Sequence, residues 1–213
     1  MKFNDIPKFV INLDRRSDRM ESITKEMEYL GWEFERFSGI DTNSYMGCTK
    51  SILEIIKIAK ERNYPRVMII EDDCGVMPYA KDLLNKIEQE SPNLEFAVMN
   101  LGPTHNGPIS ENHGLLLDMT NLPKSTEGVR SIFATNMVIY DQSIYDTMFD
   151  ISLTAFTTNG NYFHSIDDYI FKFIIKKYQS YCPVIPIAPQ KSGHSNVSEG
   201  SDNNWHTQTY NWN

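Results

Sequence analysis

Three consecutive carboxylates, Glu71, Asp72 and Asp73, directly follow a short apolar run at residues 66–70. The composition of that run predicts a buried strand of a parallel sheet. Because side chains two residues apart in a strand point the same way, we expect Glu71 and Asp73 to converge while Asp72 faces the other side. Two converging carboxylates at the carboxyl end of such a strand would repel each other unless a cation lay between them. Oxygen ligands of this kind favour Mg²⁺ or Mn²⁺, which often bind phosphate oxygens as well.

The composition is that of one ordinary globular domain. The chain has 213 residues, of which 40% are hydrophobic and 23% charged, and it contains no apolar run near the roughly 20 residues of a membrane span. No signal-peptide core is visible, and three cysteines at wide spacings match neither a zinc site nor a disulfide framework. We expect a single domain over residues 1–213, in the cytoplasm of a bacterial, phage-infected or virus-infected cell.

Strand and helix patterns alternate along the chain. Strands are predicted over residues 8–13, 32–37, 66–70, 94–101 and 132–140. Helices are predicted over residues 20–30, 49–62, 81–90, 141–150 and 166–178. Residues 102–130 are expected to form a long loop excursion, and the polar tail at 188–213 to complete the site. The order predicts an α/β fold with a mostly parallel central sheet.

Seven short motifs follow one another at residues 10–19, 37–41, 47–51, 68–73, 133–140, 165–168 and 189–192. Their order resembles the successive signatures of glycosyltransferase family 25, which holds bacterial lipooligosaccharide galactosyltransferases and collagen galactosyltransferases. One departure is Ile52, where members normally carry a histidine. The resemblance implies a GT-A fold, a Rossmann-like nucleotide-sugar-binding sandwich with its metal carboxylates at a strand end.

The resemblance also implies a UDP-sugar donor and a Mg²⁺ or Mn²⁺ ion held by Glu71 and Asp73. A histidine near the C-terminus usually completes such a site; His194 stands at that place, with His206 as the reserve. Arginine forks match phosphate geometry, and glycine lets a ligand approach the backbone closely. The residues expected to line the nucleotide site are Asn12, Leu13, Arg15, Arg19, Gly39, Asp41, Gly47, Ser51 and Asp72.

Asp167 and Asp168 open the predicted helix at 166–178. The helix macrodipole favours acidic residues at this end, which gives one of them a structural role. An inverting transferase needs a carboxylate to deprotonate the acceptor hydroxyl, and the resemblance implies that an aspartate here serves as that base. The residues do not say which of the two it is.

The leading interpretation is a metal-dependent, inverting glycosyltransferase acting on a saccharide hydroxyl. A phage-type transferase that modifies hydroxymethylated cytosine in DNA is the alternative, although a net charge of -8 disfavours broad contact with nucleic acid. A non-catalytic nucleotide-sugar-binding module is a third hypothesis. A metal phosphohydrolase would also use clustered carboxylates, but no second nucleophile motif supports it.

Overall fold

A computed structural model describes residues 1–42, 45–103, 114–120, 134–150, 166, 170–175 and 177–191. The predicted base residues Asp167 and Asp168 lie outside these residues, as do the predicted metal ligand His194 and its reserve His206. Most of the predicted excursion at 102–130 and nearly all of the polar tail lie outside them as well.

A seven-stranded sheet forms the centre of the described structure. Its strands are β1 (Lys8–Asn12), β2 (Glu35–Ser38), β3 (Arg66–Glu71), β4 (Val98–Asn100), β5 (Leu116–Asp118), β6 (Met137–Asp141) and β7 (Ser180–Pro183). They lie in the order β2-β1-β3-β6-β4-β7-β5. β1 pairs in parallel with β2 and β3, and β4 with β7, whereas β6 runs antiparallel between β3 and β4 and β5 antiparallel to β7. The expected α/β fold is confirmed, but the sheet is mixed and not mostly parallel: three of the pairings described are parallel and three are antiparallel, because β5 and β6 run against their neighbours.

Three of the α-helices in the described part of the chain pack on this sheet, α1 (Ser17–Leu30), α2 (Tyr45–Glu61) and α3 (Ala80–Glu90). A further helical stretch covers residues 145–150. Each of α1, α2 and α3 carries apolar residues at helical spacing, such as Ile23 and Met27 on α1. As expected, Gly31 ends α1: it adopts the left-handed conformation (φ 74°), and its N–H bonds the Glu28 carbonyl at 3.0 Å. None of the helices described is both long and apolar enough to cross a membrane.

The sheet separates two apolar cores, which define its two faces. On the α2 face, Ile52, Ile55 and Ile56 of α2 pack with Ile69 and Val138 of the sheet. On the α1 face, the apolar side chains of α1 and α3 pack with the intervening sheet residues, which include Val10, Met68, Ile70 and Met137. Strand residues therefore alternate between the two faces, which gives each side chain at a strand end a defined direction.

Several elements differ from the sequence prediction. β2 begins at Glu35, three residues later than expected, because Trp32 is still hydrogen-bonded to the last turn of α1 through Met27 O (2.9 Å). β4 spans only Val98–Asn100, and Ile170–Ile175 is π-helical. β5 and β7 were not predicted as strands. Each is only three or four residues long, and such short segments show no clear alternation.

Candidate active site at the carboxyl edge of the sheet

Four chain segments meet where β3 ends. Parallel pairing places Ile11 beside Glu71, so the ends of β1 and β3 lie together. Asn12 pairs with Ser38 at the end of β2. The antiparallel strand β6 enters from the other side, where the Glu71 N–H donates to the Asn136 carbonyl at 2.9 Å. The acidic run is thus surrounded by polar residues from several strands.

Glu71 points to the α2 face and Asp72 to the α1 face. The Thr135 hydroxyl donates to Glu71 Oε1, and Cys48 Sγ lies 3.9 Å from the same oxygen. Asp72 accepts hydrogen bonds from Asn12 Nδ2 (2.7 Å) and Arg19 Nη1 (2.9 Å). Alternation along the strand explains this split. Burial raises the pKa of Asp72 above its ordinary value, and Arg19 opposes that shift.

Asp73 does not follow the alternation. Its Oδ2 accepts from Arg19 Nη1 at 3.0 Å and from Gln190 Nε2 at 3.1 Å. Arg19 therefore bridges Asp72 and Asp73, and the expectation that Asp72 faces away from Asp73 is wrong. The reason is that β3 ends at Glu71, so the chain already turns at residues 72–73 and the two-residue period of a strand no longer applies.

The other oxygen of Asp73 is a candidate metal ligand. Asp73 Oδ1 is buried, and no donor in the described part of the chain bonds to it. A buried carboxylate oxygen without a partner is costly, and a cation would satisfy it. Among the described residues, however, no three histidine, cysteine, aspartate or glutamate side chains gather as a metal site. The donor set fits Mg²⁺ or Mn²⁺ only if further ligands come from elsewhere.

A C-terminal segment, residues 187–191, runs alongside the chain that follows Asp73. Gly75 N–H donates to Pro189 O (2.7 Å), and Lys191 N–H donates to Asp73 O (2.7 Å). The Lys191 ammonium lies 2.6 Å from Glu26 Oε1 and 2.8 Å from Ser22 Oγ, which fixes the segment to α1. Sequence reasoning assigned no role to Lys191 or Gln190, because their partners are more than 100 positions away.

The predicted nucleotide-binding residues differ in how exposed their side chains are. Arg15 and Asp41 form an ion pair and are each nearly half exposed, so they are accessible to a ligand. Arg19 differs, because its side chain is only 16% exposed and bonds two aspartates. Leu13 is half-buried against Gly39, where a Cβ would lie 3.2 Å from Leu13 Cδ2.

A further arginine, Arg36 on β2, connects the ends of β1 and β2. Its Nε donates to Asn12 Oδ1 (3.1 Å) and its Nη2 to Asp14 Oδ1 (2.5 Å), which also accepts from Ser38 Oγ (3.0 Å). The hydrogen bond from Arg36 lowers the pKa of Asp14. A cavity of about 600 Å³ adjoins this network and the outer side of α1, including Ser17. The sequence indicated Arg36 only as a polar position of an alternating strand.

Gly47 and Ser51 hold the loop between β2 and α2. A Cβ on Gly47 would overlap the carbonyl oxygen of Ile40, so only glycine lets this loop lie against the helix. Ser51 is buried; its hydroxyl accepts from Ile40 N–H (2.9 Å) and donates to Gly47 O (2.8 Å). The structure thus shows a supporting role for both residues, while their contact with a donor stays a prediction.

The residues before β6 form a strained turn. Ala134 has φ 73°, a left-handed conformation that costs a non-glycine residue on the order of 1 kcal/mol. Asn100 Nδ2 donates a hydrogen bond of 2.8 Å to the carbonyl oxygen of Ala134. This turn positions Thr135 against Glu71. The motif at residues 133–140 was a signal for this segment, but it did not indicate which side chains reach the acidic run.

Three solved structures are similar to this chain, all at low sequence identity. A glycosyltransferase involved in the glycosylation of the major capsid of PBCV-1 has a TM-score of 0.53 at 10% identity, covering 83% of this chain and 80% of that chain. The inositol-1-phosphate CTP transferase from T. maritima gives 0.44 at 12% identity, covering 92% and 74%. A nucleoside-diphosphate-sugar pyrophosphorylase from Vibrio cholerae RC9 gives 0.42 at 10% identity, covering 86% and 75%.

The first of these matches, with a TM-score of 0.53, supports the α/β fold of the GT-A type that the sequence predicted. No protein-family model matches the chain. No curated protein matches it either. Membership in glycosyltransferase family 25 is therefore not shown.

Replacing Gly47 by alanine tests the loop support. Alanine is the better helix former by about 1 kcal/mol, so propensity alone would stabilise α2. We expect the reverse, a loss of about 1–3 kcal/mol in the free energy of unfolding, because the new methyl overlaps Ile40 O. Urea denaturation measures it, with Lys50→Ala at an exposed position of α2 as the control. A Gly47→Ala variant as stable as the parent would contradict the overlap.

Arg19→Met should leave Asp72 and Asp73 buried without their counter-charge. Removing one partner of a buried ion pair costs about 3–5 kcal/mol, so we expect a large loss of stability in urea denaturation. Arg16→Met, at the residue that directly precedes α1, is the matched control. It breaks an ion pair with Asp18, whose side chain is 66% exposed, and should cost under about 1 kcal/mol. Equal losses in both variants would refute the bridging role of Arg19.

Proposed function

We propose that this protein is a metal-dependent glycosyltransferase that moves a sugar from a nucleotide-sugar donor to a hydroxyl acceptor, a saccharide in the first instance. The observation that carries the proposal is the unpartnered, buried Oδ1 of Asp73 at the carboxyl edge of a GT-A sheet. Ligands of open α/β sheets bind at this edge. A buried anionic oxygen there is suited to a cation that also binds the donor diphosphate.

Asp73 is the first metal ligand in this proposal. Glu71, the other predicted carboxylate, points to the α2 face and is the second choice. His194 is proposed as the histidine ligand: it follows Lys191 by three residues, and Lys191 N–H bonds Asp73 O. Three residues span at most about 10 Å, which is short enough to reach the carboxylate. When bound, the metal would stabilise the negative charge that develops on the departing diphosphate.

The residues of β1 and the following loops would bind the nucleotide. Arg15 and Asp41 are exposed beside the edge and offer a charged donor and acceptor pair. Gly39 is proposed to lie beside the nucleotide; the space that a Cβ would occupy there is packed against Leu13 and Ile11. Arg19 supports the site from inside, because it holds Asp73 through Oδ2 and leaves Oδ1 available. These roles require positioning but no covalent chemistry from the protein.

The acceptor hydroxyl must lose a proton during transfer. We propose Asp167 or Asp168 as the general base, on the ground that an inverting reaction needs a carboxylate on the acceptor side. Asp72 is unsuited to this role, because it is buried and already hydrogen-bonded to Asn12 and Arg19.

Replacing Asp73 by asparagine tests the metal site. The amide keeps the shape but removes the charge, so Mn²⁺-dependent binding of a nucleoside diphosphate should weaken at least about tenfold, on the scale of a lost charged ligand contact. Isothermal titration calorimetry with UDP or GDP, with and without Mn²⁺, measures this. Asp146→Asn, at an exposed position of the helix at 145–150, is the control. Parental Mn²⁺ dependence in the Asp73 variant would remove Asp73 from the metal site.

The variants Asp167→Asn and Asp168→Asn test which of the two aspartates is the general base. Donor affinity should stay near the parental value in both, because neither residue is proposed to contact the diphosphate. One variant should lose turnover by about 10²–10⁴-fold, the contribution of a general base. A steady-state assay measures the turnover of each variant, with an acceptor that is first found in a screen of saccharides. Full turnover in both variants would require a base elsewhere or a retaining reaction.

A further inference from the structure

Strand pairing places a hydrogen-bond acceptor and a donor next to each other on the α2 face. Ile69 lies opposite Val138 in the β3–β6 ladder, and both belong to the core of that face. Two residues further on, Glu71 N–H bonds Asn136 O at 2.9 Å, which makes Glu71 and Asn136 the next opposite pair on that face. Opposite residues of antiparallel strands have Cβ atoms about 4.5–5.5 Å apart.

The Nδ2 donor of Asn136 has no hydrogen-bond partner among the described residues. Asn136 is only 2% exposed. A buried amide donor without an acceptor costs free energy, so such a group in a folded protein calls for an explanation. The backbone just before this side chain is fixed by the strained conformation of Ala134 and by the hydrogen bond from Asn100 to its carbonyl.

Glu71 supplies the hydrogen-bond acceptor beside the Asn136 donor. Its carboxylate is half-buried and accepts from the Thr135 hydroxyl, which orients it. A hydroxyl group is at once a donor and an acceptor, so it can donate to a carboxylate and accept from an adjacent amide. A phosphate lacks the donor and would be repelled by Glu71, and an apolar group would leave the Asn136 amide donor unsatisfied. The pair therefore suits an alcohol.

We propose that Glu71 and Asn136 form a subsite for one hydroxyl of the transferred sugar. The inference rests on the proposed function and deepens it, because it assigns the sugar to the α2 face while Asp73 and Arg19 serve the diphosphate and metal from the α1 face. The two subsites are adjacent, since Glu71 and Asp73 are separated by one residue of the same chain.

The test compares a nucleoside diphosphate with its sugar conjugate. Calorimetry at saturating Mn²⁺ gives the affinities for UDP, UDP-glucose and UDP-galactose and for GDP and GDP-mannose. In Asn136→Ala, the sugar conjugate should bind about three- to tenfold more weakly than in the parent, while the bare diphosphate keeps its affinity. Asn85→Ala, at an exposed position of α3, is the matched control and should change neither affinity.

Deoxy-sugar analogues identify the hydroxyl without relying on the variant alone. In the parent, removing one particular hydroxyl from the conjugate should weaken binding by at least about three- to tenfold, because its bonds to both Glu71 and Asn136 are lost. In Asn136→Ala, removing the same hydroxyl should weaken binding less than it does in the parent, because only the bond to Glu71 is left to lose. If the variant unfolds, the analogue series on the parent still decides, since equal affinities for every deoxy analogue would overturn the subsite.

The possible outcomes distinguish a failure of the sugar subsite from a failure of the proposed glycosyltransferase function. Equal weakening of diphosphate and conjugate in Asn136→Ala, or no weakening of either, would overturn the sugar subsite and leave the transferase proposal standing. A parent protein that binds no nucleoside diphosphate with Mn²⁺ would instead overturn the proposed function, and the subsite with it.

Discussion

The site depends on the two hydrogen bonds of Arg19 to Asp72 and Asp73. Two adjacent carboxylates that are largely buried would repel each other, and one guanidinium between them removes that repulsion. The bridge leaves one oxygen of Asp73 unsatisfied, and that oxygen suits a cation. Arg19 lies in the first turn of α1, so the packing of this helix on the sheet determines the position of the guanidinium beside the acidic run. The stability of the acidic run and the proposed metal binding therefore both depend on Arg19.

The end of β3 separates the polar residues by face. Glu71 meets Thr135 on the α2 face, and Asp72 meets Asn12 on the α1 face. A strand imposes this division on consecutive residues, and the turn that follows returns Asp73 to the side of Asp72. The sequence Glu-Asp-Asp thus serves two neighbouring regions and does not present all three carboxylates to one point.

The C-terminal segment completes the surroundings of the acidic run. Residues 187–191 lie along the chain after Asp73, with Gln190 bonded to its carboxylate and Lys191 paired with Glu26 of α1. The chain beyond Lys191 therefore starts beside the acidic run. This arrangement connects three remote parts of the sequence.

The sequence by itself determined the elements with strong periodicity and the position of the acidic run. Apolar spacing predicts the first three strands and the helices α1, α2 and α3. The shared direction of parallel strands predicts the edge of the sheet where Asn12 and Glu71 meet. Only the tertiary structure decided which side chains share a hydrogen bond. Arg19, Arg36 and Gln190 reach carboxylates up to 117 positions away, and no local pattern records such contacts. The short strands β5 and β7 likewise exist only through pairing, since isolated segments of three or four residues have no stability of their own.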